Sequence, residues 1–89
     1  MITDTAALTI NAAIEQADDA DADAAYAEHL VNQVGGLFAR ANAANANRAA
    51  ANAYQHAANT AYAVGDYAAG NAVQYKIAIA NRTANRFDA

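Results

Sequence analysis

Cysteine, serine, proline and tryptophan are absent from the 89 residues, and lysine occurs once. Lack of cysteine excludes disulfides, thiolate zinc sites and a thiol nucleophile. Lack of serine removes the commonest alcohol nucleophile. The five threonines, at positions 3, 5, 9, 60 and 83, stand in no triad or phosphate-loop context. No apolar run approaches the roughly 18 to 20 residues that a bilayer span needs, and Met1 is followed by Ile-Thr-Asp rather than a basic stretch. A soluble protein without a targeting leader is therefore expected, residing in the cytoplasm or in a particle assembled there. Strand signals are scarce too: β-branched residues are few, alternation of period two is not sustained, and no Asn-Gly or Asp-Gly turn appears.

What is present is alanine. Thirty of the 89 residues are Ala and ten are Asn, and only 20 apolar side chains are larger than Ala. Alanine is the strongest helix former, so its density predicts helix nearly throughout. Glycine supplies the only strong punctuation. Gly35-Gly36 reads as a helix end, and Gly65-Asp66 as a second end followed by an Asp N-cap. The expected architecture is all-α and a single domain over 1–89: a three-helix bundle, or a long hairpin plus a third helix, at about 4–34, 37–64 and 66–84.

Helix 1 carries a seam stepping by three and four: Ile10, Ala13, Ala17, Ala20, Ala24, Ala27, Val31, Val34, and Phe38 past the glycines. Its middle is all Ala, which allows a partner helix to approach closely. The run Asp18-Asp19-Ala20-Asp21-Ala22-Asp23 interrupts it in composition, since Asp favours caps over helix interiors. A break near 18–22 is one reading. Continuity is preferred, because the seam crosses the run in phase and an unbroken helix 1 matches helix 2 in length. Asp19-x-Asp21-x-Asp23 resembles the opening of an EF-hand loop, but Ala24 and Leu30 stand where that loop needs Gly and Glu.

Charge is unevenly divided. Residues 1–35 carry seven acidic groups and no Lys or Arg, whereas residues 36–89 carry five basic groups against Asp66 and Asp88. Such halves attract within one chain if the segments pack antiparallel, or between chains if an acidic end meets a basic one. Five cations without aromatic interleaving do not suggest nucleic-acid binding.

In helix 2, Asn45, Asn52 and Asn59 recur by sevens with His56 beside them, an arc of about 60° on the helix circumference. Ala39, Ala46, Ala50, Ala53, Ala57 and Val64 occupy the opposite face. The polar stripe is either a wet face or a ladder of amides against an equivalent helix, where buried Asn fixes register. Those four residues are the candidate partner-binding set. Catalytic and metal-binding sets are not expected: His29 and His56 have no His, Asp or Glu at i+3 or i+4. Glu15 and Glu28 would lie about 20 Å apart along one helix, and the five Tyr read as core-edge aromatics with wet hydroxyls.

Within Ala51 to Arg82, the positions Tyr54, Ala58, Tyr62 and Gly65-Asp66-Tyr67 are similar to one tetratricopeptide-type hairpin. Gly70, Gln74 and the missing proline depart from that pattern, and no second copy precedes it. The resemblance implies a helical hairpin turning at 65-66. No enzyme, cofactor or small-molecule substrate is expected. The expected function is that of a non-catalytic structural or assembly protein, packing on copies of itself or on a scaffold, such as a minor component of a phage particle. The alternative is a helical adaptor that binds a peptide or helix. With so few large apolar side chains, the isolated chain is expected to gain stability from its neighbours.

Overall fold

The computed structural model describes residues 3–88. Three helices, α1 (Asp4–Gln33), α2 (Gly36–Ala63) and α3 (Tyr67–Asp88), account for nearly all of them. The expected all-α three-helix architecture is present, with α1 running unbroken through Asp18 to Asp23. Thr3 caps α1, its Oγ1 accepting the Ala6 N–H at 3.1 Å. At the far end of α2 the Gly65 N–H reaches Tyr62 O at 3.0 Å and the Asp66 N–H reaches Ala61 O at 2.9 Å. That pair of bonds closes the helix in a Schellman motif, which needs the left-handed φ of 83° that Gly65 supplies. Asp66 then opens α3, its Oδ1 accepting the Ala69 N–H at 3.0 Å. Helix α3 runs to Asp88 rather than stopping near residue 84. Its last turn holds the buried Ala84 and the half-buried Phe87, over whose ring the Arg40 guanidinium lies at 5.7 Å, so packing against α2 extends it.

The connections are two tight turns, so consecutive helices are antiparallel. Helix α2 is the spine: α1 and α3 both pack on it rather than on each other. The result is a rod 49 Å long and 19 by 13 Å across. Along α2 the buried residues are Ala43, Ala44, Asn47, Ala50, Ala51, Tyr54, Ala57, Ala58 and Ala61, a surface on which backbones approach closely because almost every side chain is a methyl. Tyr54 is the only large side chain fully buried among the described residues. It packs with Ala17, Ala58 and Val73, and Ile14, Tyr62 and Ile77 close around them. A second cluster, Ala50, Ala51 and Ala80 with Ala20 against it, is made wholly of Ala.

The α1 seam is buried at Ile10, Ala13, Ala17 and Ala24, and half-buried at Ala20, Ala27 and Val31. Its continuation fails. Val34 and Phe38, read from spacing as the same stripe, are exposed by 79% and 88%, because the chain leaves α1 at Gln33 and the turn carries them off the end of the rod.

One glycine matters in a helix interior. Gly70 is buried where the Tyr62 ring crosses α3, and a Cβ placed there would lie no farther than 2.7 Å from three ring carbons. The absent side chain is what lets the ring in. The Tyr62 hydroxyl then donates to Asn71 Oδ1 at 2.7 Å and accepts from Gln74 Nε2 at 3.2 Å, and the ring tilts against Tyr67 at 6.0 Å.

Candidate functional site

The polar stripe of α2 faces outward. Asn45, Asn52, His56 and Asn59 are all exposed, on the side of α2 left open by α1 and α3. Asn59 Oδ1 accepts from Gln55 Nε2 at 3.0 Å, a bond within the same helix. His56 lines a shallow open groove of about 490 Å³ with Thr9, Ala12, Ala13, Glu15, Gln16 and Asp19 of α1. The structure brings these four residues together on one exposed surface, with His56 at the edge of that groove.

The buried asparagine is another one. Asn47 is 3% exposed, and its Nδ2 donates to Ala43 O at 2.9 Å, so its amide is satisfied within its own helix. It belongs to the step Ala44, Asn47, Ala51, Tyr54, Ala58, Ala61, a three-four seam with Tyr54 at its centre. That spacing was available in the sequence but was hidden behind the more regular heptad spacing of Asn45, Asn52 and Asn59.

Polar chemistry concentrates where the three helices meet. Asp18 Oδ1, from α1, accepts the Tyr54 hydroxyl of α2 at 2.6 Å and the Lys76 ammonium of α3 at 3.5 Å. Lys76 also lies 5.2 Å from the centre of the Tyr54 ring. The Tyr54 hydroxyl is thus not wet, as its sequence context suggests, but is spent on a carboxylate. Burial pushes its phenol well above the ordinary range; the bond to Asp18 and the nearby charge of Asp21 add to the shift. A phenol held protonated with its donor already used is a poor acid or base at neutral pH, so the Asp18, Tyr54 and Lys76 cluster reads as a structural pin. Beside it, Asp21, Tyr54, Tyr75, Lys76 and Ile79 line a small groove of about 240 Å³.

The charge division is hardly neutralised inside the chain. Among the described residues there are two ion pairs: Lys76 with Asp18 joins α1 to the basic half, and Arg48 with Asp88 lies within that half. Asp19, Asp21 and Asp23 lie in continuous helix, where steps of two residues turn about 200° and point Asp21 away from its neighbours. Such a run cannot wrap an ion as a loop can.

Of the nine large apolar side chains that stand exposed among the described residues, six lie at the two ends of the rod, while Tyr26, Tyr75 and Ile79 lie along its sides. At the α1–α2 turn, Val34, Leu37 and Phe38 are exposed by 79%, 87% and 88%. The opposite end shows Leu8, Val64 and Tyr67, exposed by 70%, 44% and 65%. Both sets were counted from sequence as part of the stock available for a core. No helix among the described residues is long and apolar enough to cross a membrane. No protein-family model matches the sequence, and comparison with curated proteins and with solved structures returns no significant match.

Proposed function

We propose that this chain is a non-catalytic assembly module, a small rigid rod whose work is to contact protein, a copy of itself or a larger scaffold of the kind a phage particle exemplifies. The observation that carries this reading is the bare tip formed by Val34, Leu37 and Phe38. A soluble chain with only 20 apolar side chains larger than Ala spends three of them, adjacent to one another, on a surface nearly open to water. Clustered exposed apolar groups mark contact sites, whereas scattered single ones do not. The adaptor reading draws on the groove beside Tyr75 and Ile79, of about 240 Å³, and on the wider one of about 490 Å³ beside His56; the wider one is lined by small and polar side chains rather than the large apolar ones that anchor a peptide helix.

The test is photocrosslinking inside the cells that make the protein, with a photoreactive phenylalanine analogue placed at Phe38 in one experiment and at Asn52 in another. A protein adduct at Phe38, identified by mass spectrometry, is expected. An adduct at Asn52 alone transfers the contact to the polar stripe, and no adduct at either position overturns the assembly reading.

A further inference from the structure

We propose that two copies of this chain pair side by side as parallel rods, the α3 flank of each, carrying Tyr75, Ile79, Arg82 and Arg86, lying against the α1 flank of the other. This rests on the assembly reading and names its partner as a second copy. Helices α1 and α3 both pack on α2 rather than on each other, so one long side of the rod is a shallow trough. Asp21 stands on its α1 wall, Tyr54 at its floor, and Tyr75, Lys76 and Ile79 on its α3 wall.

Helix α3 has a second seam beside the one it buries. Gly70, Val73, Ala80 and Ala84 face the core. Ala68, Ala72, Tyr75, Ile79, Arg82 and Arg86 step by four and three along another face, and all six are exposed. That is the spacing of a helix surface that meets a helix, and nothing in the chain covers it. Its apolar part leaves Tyr75 exposed by 59% and Ile79 by 50%, and its last two positions are cations in no ion pair among the described residues.

The α1 wall carries the complement of that seam at matching heights. Residues 1–35 hold no Lys or Arg, and Asp21 and Glu28 are in no ion pair among the described residues. Helices α1 and α3 are each antiparallel to α2, hence parallel to one another, and the contact of Lys76 with Asp18 marks one level on both. At a rise of 1.5 Å per residue, Glu28 and Arg86 both lie about 15 Å beyond that level, and Arg82 lies only about 4.5 Å beyond Asp21. A twofold axis along the rod keeps every level and exchanges the walls. Glu28 of each copy then meets Arg86 of the other, Asp21 meets Arg82, and Ile79 comes level with the exposed Ala22, whose methyl leaves room for it. A twofold across the rod faces α1 with α1 and sets carboxylates against carboxylates, so charge selects the first arrangement.

Area favours the side over the ends. The broad side measures 49 by 19 Å, about 900 Å² if wholly covered, against the roughly 800 Å² per partner of a stable interface; an end offers only 19 by 13 Å. The contact is isologous, so it closes at two copies and weakens as salt screens the facing charges.

Sedimentation velocity of the purified full chain at low salt, from about 1 μM to about 1 mM, spans the affinities at issue. The weight-average mass should rise from the 9.2 kDa of one copy to twice that value and stop there. Two charge-reversed variants carry the test: Asp21→Arg with Glu28→Arg, and Arg82→Glu with Arg86→Glu. None of the four side chains is buried, and retained helical circular dichroism verifies folding. Each variant alone opposes like charges at both contacts and should raise the dissociation constant by about tenfold or more. Mixed in equal amounts they should pair again, because reversed α1 meets reversed α3 and native α1 meets native α3. A wild-type chain that stays at 9.2 kDa throughout overturns the proposal, as does a mass that climbs past two copies or a mixture that pairs no better than its components. Pairing abolished by Leu37→Asp with Phe38→Asp, yet indifferent to charge reversal, moves the contact to the tip and also overturns it. The Phe38 crosslink in cells is a separate readout, so the side-by-side pair can fail while the assembly reading stands.

Discussion

Replacing Gly70 by Ala sets two well-measured effects against each other. Helix propensity alone makes the change favourable by about 0.5 to 1 kcal/mol, since Gly in a helix interior costs that much relative to Ala. The structure says otherwise. The new methyl would sit within 2.7 Å of Cδ1, Cε1 and Cζ of Tyr62, whereas carbon atoms pack comfortably at about 3.5 to 4.0 Å. The ring must retreat by about 1 Å or swing out, and in doing so it gives up its bonds to Asn71 and Gln74 and its tilted contact with Tyr67. Overpacking of this kind costs about 1 to 3 kcal/mol, so the net expected loss is about 1 to 2 kcal/mol. For a chain of this size that lowers the melting temperature by about 5 to 15 °C. The decisive comparison repeats the substitution in a Tyr62→Ala background, where no ring is left to clash. There the same change should be stabilising by about 0.5 to 1 kcal/mol, and the sign reversal is the signature of a direct coupling. Thermal melts followed by circular dichroism at low micromolar protein measure all four corners of the cycle. A higher melting temperature for Gly70→Ala alone would refute the close-approach argument.

Three further outcomes follow from the same geometry. Tyr54→Phe keeps the ring and removes the bond to Asp18; because that carboxylate remains half in water, the loss should be about 1 to 2 kcal/mol in urea unfolding, against about 3 to 5 for Tyr54→Ala. The Tyr54 phenol is raised above its unfolded value, so the stability it contributes is complete below the ordinary phenol range near pH 10 and is lost as pH rises past it. Wild type should therefore lose more stability than Tyr54→Phe between pH 8 and about pH 11; equal losses would remove Tyr54 as the cause. Salt should raise the monomer's melting temperature, because Glu15, Asp18, Asp19, Asp21 and Asp23 make four like-charge i,i+3 or i,i+4 pairs on α1, while the screened attraction of Lys76 for Asp18 is worth at most about 1 kcal/mol. A melt that falls with salt would point to intrachain attraction between the halves. Asn52→Ala should leave the mass distribution unchanged and the melting temperature level or slightly higher, since the side chain it removes is exposed and Ala is the better helix former.

Helix number, the two turns and the α1 seam were legible because each rests on a local signal: glycine at the ends, Asp66 as a cap, and spacing by three and four from Ile10 to Ala27. The face of α2 was not fully legible, and the reason is its composition. Ala41 and Ala49 are exposed while Ala43, two residues on from the first, and Ala50, one on from the second, are buried, so a residue that is equally content in both places carries no inside-outside contrast. Asn47 lies inside and Asn45 outside for a reason visible only once α1 and α3 are docked. Gly70 looked like a defect in a repeat pattern, because its purpose depends on a ring eight residues earlier that folds back across the turn. The exposed tip escaped notice for a simpler reason. Val34 and Phe38 fit the heptad spacing, and spacing cannot tell where a helix has stopped.

The alanine contact surface of α2 has one more consequence. Methyl groups have no rotamers and are all alike, so a neighbouring helix that slid along α2 by one seven-residue repeat would find much the same surface it had left. Ala50, Ala51, Ala80 and Ala20 would accept such a displacement with little complaint. What fixes the helices in place is the pair of side chains that breaks the monotony: Tyr54, wedged between Ala17 and Val73, with its hydroxyl tied to α1 and its ring under the ammonium of α3, and Tyr62, seated on Gly70. The molecule resembles a smooth sliding rule with two detents, one phenol ring near the middle that holds all three helices and another near the second turn that holds α3 on α2.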